Sequence, residues 1–259
     1  MIPKKIHYCW FGGNSLPELA TKCIDSWKKF CPDYEIIEWN ESNFDINCCD
    51  YVREAYQAKK WAFVSDYARF KILYENGGLY FDTDVEMIKS LDDIILKGGF
   101  MGRESNRNTS VAPGLGLAVS PKSELYRELL ETYHNLHFIN ADGTMNLNTV
   151  VDYTTEILLK YGLKNTNEIQ QIAGINIYPQ DYFCPMNYDT GELTITANTY
   201  SIHHYTASWY GKKEEFAHQL KRKFIKFLPR KIAVILATSI AKIKYEGLLS
   251  WLKWALKKR

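Results

Sequence analysis

No stretch of this 259-residue chain approaches the ~20 consecutive apolar residues that a membrane-crossing helix needs. The longest apolar run of its C-terminal part, Ile232 to Ala241, is about half that length. The chain is therefore expected not to span a membrane. Its six cysteines (Cys9, Cys23, Cys31, Cys48, Cys49 and Cys184) show no Cys-x-x-Cys or zinc-type spacing, which argues against a redox pair or a Cys-built metal site. The N-terminus runs directly into a strand-like segment with no signal-peptide pattern, so reduced thiols in a cytoplasmic protein are the expectation. A Gly-x-Gly-x-x-Gly fingerprint and a Walker loop are both missing, and nicotinamide and ATP-motor readings lose their support with them. Internal repeats and low-complexity segments are absent too.

What is there is enough chain for one sizeable α/β core with an appendage. The formal net charge of +2 hides a division. Residues 212–259 hold 14 of the 32 Lys and Arg but only 3 of the 30 Asp and Glu, which leaves 18 basic and 27 acidic residues before them, about −9 against +11. The expected organisation is a catalytic domain over 1–211 and a basic amphipathic helical tail over 212–259. In that tail Trp251 and Trp254 stand among lysines and aliphatic residues. This composition suits helices lying in the headgroup layer of an anionic membrane; the alternative is a tail packed on its own domain or on a second subunit. Nucleic acid is a poorer partner, because the charge is interleaved with broad apolar faces and no nucleic-acid motif is present.

Periodicity predicts strands at Lys5 to Trp10, Tyr34 to Trp39 and Leu79 to Phe81, a helix over Pro17 to Phe30, and an almost wholly apolar, buried helix from Trp61 to Asn76 stopped by Gly77 and Gly78. Asn40 to Asp50 reads as a loop or short helix. Further strands are expected at Gly99 to Arg103, Gly114 to Val119 and Ile175 to Pro179, with threonine- and tyrosine-rich strand pairs over Leu193 to Tyr205. Helices are expected over Ser123 to Tyr133 and Asn146 to Tyr161. This alternation predicts a mostly parallel, doubly wound sheet.

The most informative motif is Asp82-Thr83-Asp84, directly after the strand Leu79-Tyr80-Phe81. Two carboxylates at the end of a buried strand place hard oxygen ligands in the crevice where α/β sheets bind ligands, as a phosphate-bound divalent metal requires. The buried helix in front carries Asp66 and Arg69 three apart on one face, either for a ligand or as a buried ion pair serving the fold. Trp10, followed by Phe11-Gly12-Gly13, offers a flat ring at a strand end with room beside it, or else a core tryptophan.

Four stretches together, Tyr8 to Gly13, Ser65 to Arg69, Gly77 to Asp84 and Ile202 to Trp209, resemble the family 32 glycosyltransferases. These are the DXD sugar transferases that include yeast-type mannosyltransferases and bacterial capsule enzymes; the glucosyltransferase domain of the large clostridial toxins is more distantly similar. The resemblance covers roughly residues 1–211. It implies a GT-A fold, Rossmann-like with helices on both faces of the sheet, a nucleotide-sugar donor such as UDP-hexose, Mn²⁺ or Mg²⁺, and retention of configuration. By the same resemblance Asp84 binds the metal directly, and Asp82 touches the ribose or reaches the metal through water. Asp66 and Arg69 contact donor sugar and phosphates. Trp10 stacks on the base beside Gly12 and Gly13, and Ser208 and Trp209 close over the diphosphate. One of His203 and His204 completes the metal shell, with His203 slightly favoured. Asp142, Asn146 and Asn148 fall where the family often has acceptor-side or sugar-side groups, with a poor local match. The implied acceptor is a lipid-linked glycan in surface polysaccharide synthesis, at the inner face of the plasma membrane. The alternatives are a toxin-like protein glycosyltransferase and a sugar-nucleotide-binding membrane protein without turnover.

Overall fold

The computed structural model describes residues 1–105, 108–206 and 212–257. The chain begins with β1 (Lys5–Cys9), α1 (Glu18–Phe30) and β2 (Glu35–Trp39), followed by α2 (Asp50–Gln57), α3 (Trp61–Asn76) and β3 (Gly78–Tyr80). Strand alternation divides β1 between two faces. Tyr8 packs edge-on against Trp27 of α1 at 5.8 Å, whereas Cys9 joins the cluster built around Tyr67, Phe70 and Leu73 of α3. Helices thus cover both faces of the sheet. Nine residues of α3 are buried, as its nearly all-round apolar surface predicts. Gly77 ends it with φ +65°, and a Cβ there would meet Pro121 Cδ at 2.6 Å, so only glycine fits.

After β3 come β4 (Val85–Met87), α4 (Asp92–Ile95), β5 (Phe100–Gly102), β6 (Leu117–Val119), α5 (Glu124–His134) and α6 (Val150–Lys160), then β7 (Gln170–Ile172), β8 (Ile175–Tyr178), α7 (Gln180–Phe183) and β9 (Ser201–His203). Seven strands form one sheet in the order β2-β1-β3-β6-β5-β8-β7. Five run the same way; β6 and β7 are reversed against their neighbours. The mostly parallel α/β sheet expected from the alternation is present. β4 and β9 form a separate antiparallel ladder.

Several local expectations are corrected. Leu193 to Tyr205 yields only β9; before it, the Thr196 and Thr199 hydroxyls accept backbone N–H groups and hold turns, which competes with strand pairing. Within Gly114 to Val119 the strand starts at Leu117, because Pro113–Leu115 form a single tight helical turn. α6 starts at Val150 rather than Asn146, since Thr149 and Asp152 close a reciprocal capping box. The segment from Asn40 is turned, and α2, which follows it, buries Tyr51, Val52 and Ala55.

The contacts divide the chain into one unit of 1–185 with 194–204 and a second of 186–193 with 205–259. The described helices of the second are α8 (Lys212–Phe224), α9 (Arg230–Glu246) and α10 (Leu248–Lys257). Ala233, Ala237 and Ala241 line the buried side of α9. Phe216 meets Tyr245 at 5.8 Å and Lys213 pairs with Glu246 at 2.8 Å, tying α8 to α9. Another side of α9 leaves Ile232, Leu236, Ile240 and Ile243 exposed, and α10 exposes Leu248, Leu252 and Leu256. Among the described residues no helix is long and apolar enough to cross a membrane.

Candidate active site at the sheet edge

β3 delivers Asp82 to the carboxyl edge of the sheet, where the Asp82 N–H donates to Gly114 O at 3.3 Å. Tyr80 Oη donates to Asp82 Oδ1 at 3.1 Å. Arg69, with its side chain 4% exposed, reaches Asp66 Oδ1 at 3.0 Å and Asp82 Oδ1 at 3.3 Å through Nη2, while its Nε donates to Ser65 O at 3.1 Å. Its guanidinium also lies 4.9 Å from the centre of the Tyr80 ring. One buried cation therefore bridges two carboxylates, and the Val150 N–H donates to the far oxygen of Asp66 at 3.3 Å. Burial disfavours the charge on Arg69, but Asp82, Tyr80 and Asp66 overcome it and hold the guanidinium above its usual range. Burial pushes the Asp66 carboxyl up to about 6 against the pull of Arg69, and repulsion from Asp82 adds to the rise. A Cβ on Gly114 would fall 2.2 Å from Asp82 Oδ2, so glycine there leaves room for the carboxylate.

Asp84 is placed by the β4–β9 ladder. His203 Nε2 lies 3.1 Å from Asp84 Oδ1, both side chains being largely buried. Burial works against a charged His203, and Asp84 overcomes it by charge and hydrogen bonding, which raises the imidazole pKa. His204 turns away: its N–H donates to Asp84 O at 3.0 Å, and its Nε2 lies 2.8 Å from Glu86 Oε2. Glu86 also pairs with Lys22 at 3.1 Å. Period-two alternation along β9 accounts for the separation of the two histidines.

Trp10 follows β1 at the same edge, its indole N–H donating to Asn14 O at 2.6 Å. Gly12 and Gly13 take φ +95° and +67°, and the Gly12 N–H donates to Glu41 Oε1 at 2.7 Å. A Cβ on Gly12 would stand 2.6 Å from Trp61 Nε1. Beside this turn is a cleft of about 560 Å³ lined by Gly12, Gly13, Asn14, Glu41, Tyr56, Lys59 and Trp61. The indole lining it is that of Trp61, which the sequence reading did not single out. The available signal was its position four residues before Ser65, on the same helical face.

The structure thus joins Asp66, Arg69 and Asp82 in one network, pairs Asp84 with His203, and directs the His204 side chain to Glu86 instead. Ser208 and Trp209 lie outside the described residues. Asp142 accepts from the Thr144 N–H at 2.9 Å, Asn146 donates to Tyr153 Oη at 2.9 Å, and Asn148 is exposed in the same loop. Glu104, half-buried near His203 and Asp152, was also missed; burial raises its carboxyl, His203 draws it down and Asp152 raises it further.

A divalent cation suits the Asp84–His203 donor set, one hard oxygen and one imidazole nitrogen. Among the described residues no three His, Cys, Asp or Glu gather in a metal-holding group. Phosphate oxygens and water would have to supply the rest of the shell, as they do for cations carried by nucleotides.

Residues 17–100 match a family model described as the glycosyltransferase sugar-binding region containing DXD motif. That span takes in Asp66, Arg69, Asp82 and Asp84 and leaves out Trp10 and His203. The resemblance to DXD sugar transferases drawn from the motifs stands on this match. The chain is 32% identical over 108 residues to inositol phosphoceramide mannosyltransferase 3 of Schizosaccharomyces pombe, covering 40% of this chain and 30% of that protein. It is 28% identical over 111 residues to subversion of eukaryotic traffic protein A of Legionella pneumophila, covering 32% of this chain and 17% of that protein. Its matches thus span less than a third of the length of either relative. The solved PaToxG glycosyltransferase aligns over 61% of this chain and 69% of its own with 20% identity and a TM-score of 0.48.

Proposed function

We propose that this protein is a metal-dependent, retaining glycosyltransferase that moves a hexose from a nucleotide sugar, UDP-hexose, to a lipid-linked glycan. The observation that carries the reading is the pairing of Asp84 with His203 at 3.1 Å beside the Arg69-bridged carboxylates Asp66 and Asp82. The match of residues 17–100 to a sugar-binding region supports it.

Asp84 and His203 would hold Mn²⁺ or Mg²⁺, which supplies positive charge to the departing diphosphate. Arg69 keeps Asp82 in one orientation and lends a fixed positive charge to the phosphate side of the site. Asp66, anchored by Arg69 and the Val150 N–H, accepts hydrogen bonds from sugar hydroxyls. The base enters the cleft between the Gly12–Gly13 turn and Trp61. Because these groups are set before substrate arrives, little reorganisation accompanies the reaction.

The basic second unit is the part of the proposal that concerns the acceptor. Exposed aliphatic stripes on α9 and α10 among Lys and Arg suit the headgroup layer of an anionic membrane. A cytoplasmic enzyme resting on the inner face of the plasma membrane would meet a lipid-linked glycan there.

Nucleotide release from a panel of nucleotide sugars with Mn²⁺ tests the catalytic reading. Release from at least one donor, abolished in Asp84→Ala, is the expected result. Absence of binding and hydrolysis with every donor, or full activity of Asp84→Ala, overturns it.

A further inference from the structure

Glu104 follows β5 at the same carboxyl edge as Asp82, two strands away and on the order of 10 Å across by the usual strand spacing. Alternation places it on the face of Phe100 and Gly102. Phe100 stacks on Phe183 at 4.8 Å, and a Cβ on Gly102 would meet the same ring at 2.9 Å. Phe183 in turn meets Tyr200, immediately before β9, at 6.2 Å. Glu104 therefore sits on the side of the sheet from which His203 approaches, and the charges of Glu104 and His203 act on each other.

The backbone that carries Glu104 is firmly held. Its N–H donates to Ser110 O at 3.1 Å, and Cys184 Sγ donates to its carbonyl at 3.6 Å. The preceding Arg103 is fully buried and grips Ser105 O at 3.1 Å and Asn165 Oδ1 at 2.6 Å, together with the carbonyls of Asn108 and Thr166. Yet among the described residues the Glu104 carboxylate makes no hydrogen bond and no ion pair. A half-buried carboxylate without a protein partner is open to water or to a ligand hydroxyl, and the anchored backbone fixes the point from which the side chain reaches. The fold maintains an acceptor with nothing of its own to accept, which is the state of a group awaiting a substrate proton.

We propose that Glu104 is a catalytic carboxylate that takes the proton of the attacking hydroxyl; this rests on the glycosyltransferase reading above. The hydroxyl oxygen bonds to the anomeric carbon, and the bond from that carbon to the diphosphate oxygen breaks with its electron pair leaving on the diphosphate. The hydroxyl proton passes to Glu104 and then to solvent. Proximity to His203 puts the carboxylate on the leaving-group side, where direct displacement with retention needs its base.

The test uses the full chain, UDP-glucose or whichever panel donor the wild type hydrolyses fastest, and water as the acceptor. Glu104→Gln is expected to lower the rate of nucleotide release by about 100-fold or more, while calorimetry shows UDP binding with Mn²⁺ unchanged within about threefold. In Glu104→Ala, azide, an anion with no proton to lose, is expected to restore nucleotide release by about tenfold or more, a rescue that a merely structural role would not allow. Glu104→Gln turning over like the wild type overturns the proposal. So does a Glu104→Ala variant that binds UDP normally and is not restored by azide. A wild type inactive on every donor overturns the underlying glycosyltransferase reading instead, and this proposal with it.

Discussion

His203 faces Asp84 across the β4–β9 ladder at 3.1 Å, in a register that pairs Val85 with His203. That register also sends His204 to Glu86 at 2.8 Å. Two adjacent histidines therefore belong to different networks, one beside the DXD carboxylate and one in a surface cluster with Lys22.

The two should separate on substitution. Asp84→Ala and His203→Ala are each expected to weaken Mn²⁺-dependent nucleotide release by about 100-fold, whereas His204→Ala changes it by less than about threefold. Manganese titrations of the three variants check this, and equal losses at both histidines would contradict the assignment.

Arg69 is the only residue that touches both Asp66 and Asp82 in the described site, and its removal leaves two carboxylates facing each other with no cation between them. Arg69→Met is expected to destabilise the protein by about 3–5 kcal/mol, as breaking a buried pair on one side does. Urea unfolding measures it. Arg69→Lys should recover only part of the loss, because a point charge does not reach both carboxylates as the guanidinium fork does.

His7 provides a pH dependence away from the site. Trp39 Nε1 donates to its Nδ1 at 3.0 Å and its Nε2 contacts Gly77 O at 3.0 Å, so the neutral ring joins β1, β2 and the end of α3. Burial lowers its pKa from 6.5 to about 4 despite the Gly77 carbonyl, with Lys5 adding to the fall. A depressed pKa means that the unfolded chain binds the proton more tightly. The contribution of His7 is thus complete above about 6.5 and is lost as pH falls toward 4. Between pH 7 and pH 5 the loss is on the order of 2 kcal/mol. His7→Phe should flatten that part of the stability-against-pH curve, whatever it does to the absolute level.

The stripes on α9 and α10 make a membrane prediction. Each buried leucine contributes about 1.5–3 kcal/mol on leaving water. Leu236→Glu combined with Leu252→Glu should therefore weaken binding to vesicles containing phosphatidylserine by at least about tenfold. Sedimentation with anionic and neutral vesicles checks it; binding that is unchanged, or indifferent to lipid charge and to salt, would count against the membrane proposal.

Much of the architecture was legible in the residues themselves. The buried α3 with its glycine stop, the strands at Lys5, Tyr34 and Leu79, and an acidic pair at the end of the third all follow from periodicity and glycine stereochemistry, which are local. Asp66 and Arg69 share a helical face for the same reason. By contrast, β4 is three residues long, and its partner β9 lies more than a hundred residues away. Pairing over such separation leaves no mark on either segment alone, and the choice between His203 and His204 depends on that pairing's parity. The same holds for Trp61 beside Gly12 and for Asp82 as the second partner of Arg69. Local pattern thus sets most of the long helices and the first three strands, and it puts Asp66, Arg69 and Asp82 on elements that end at the sheet edge. Which of those charges meet is a property of the folded chain, because contact across the fold depends on strand order and register, which no single segment contains.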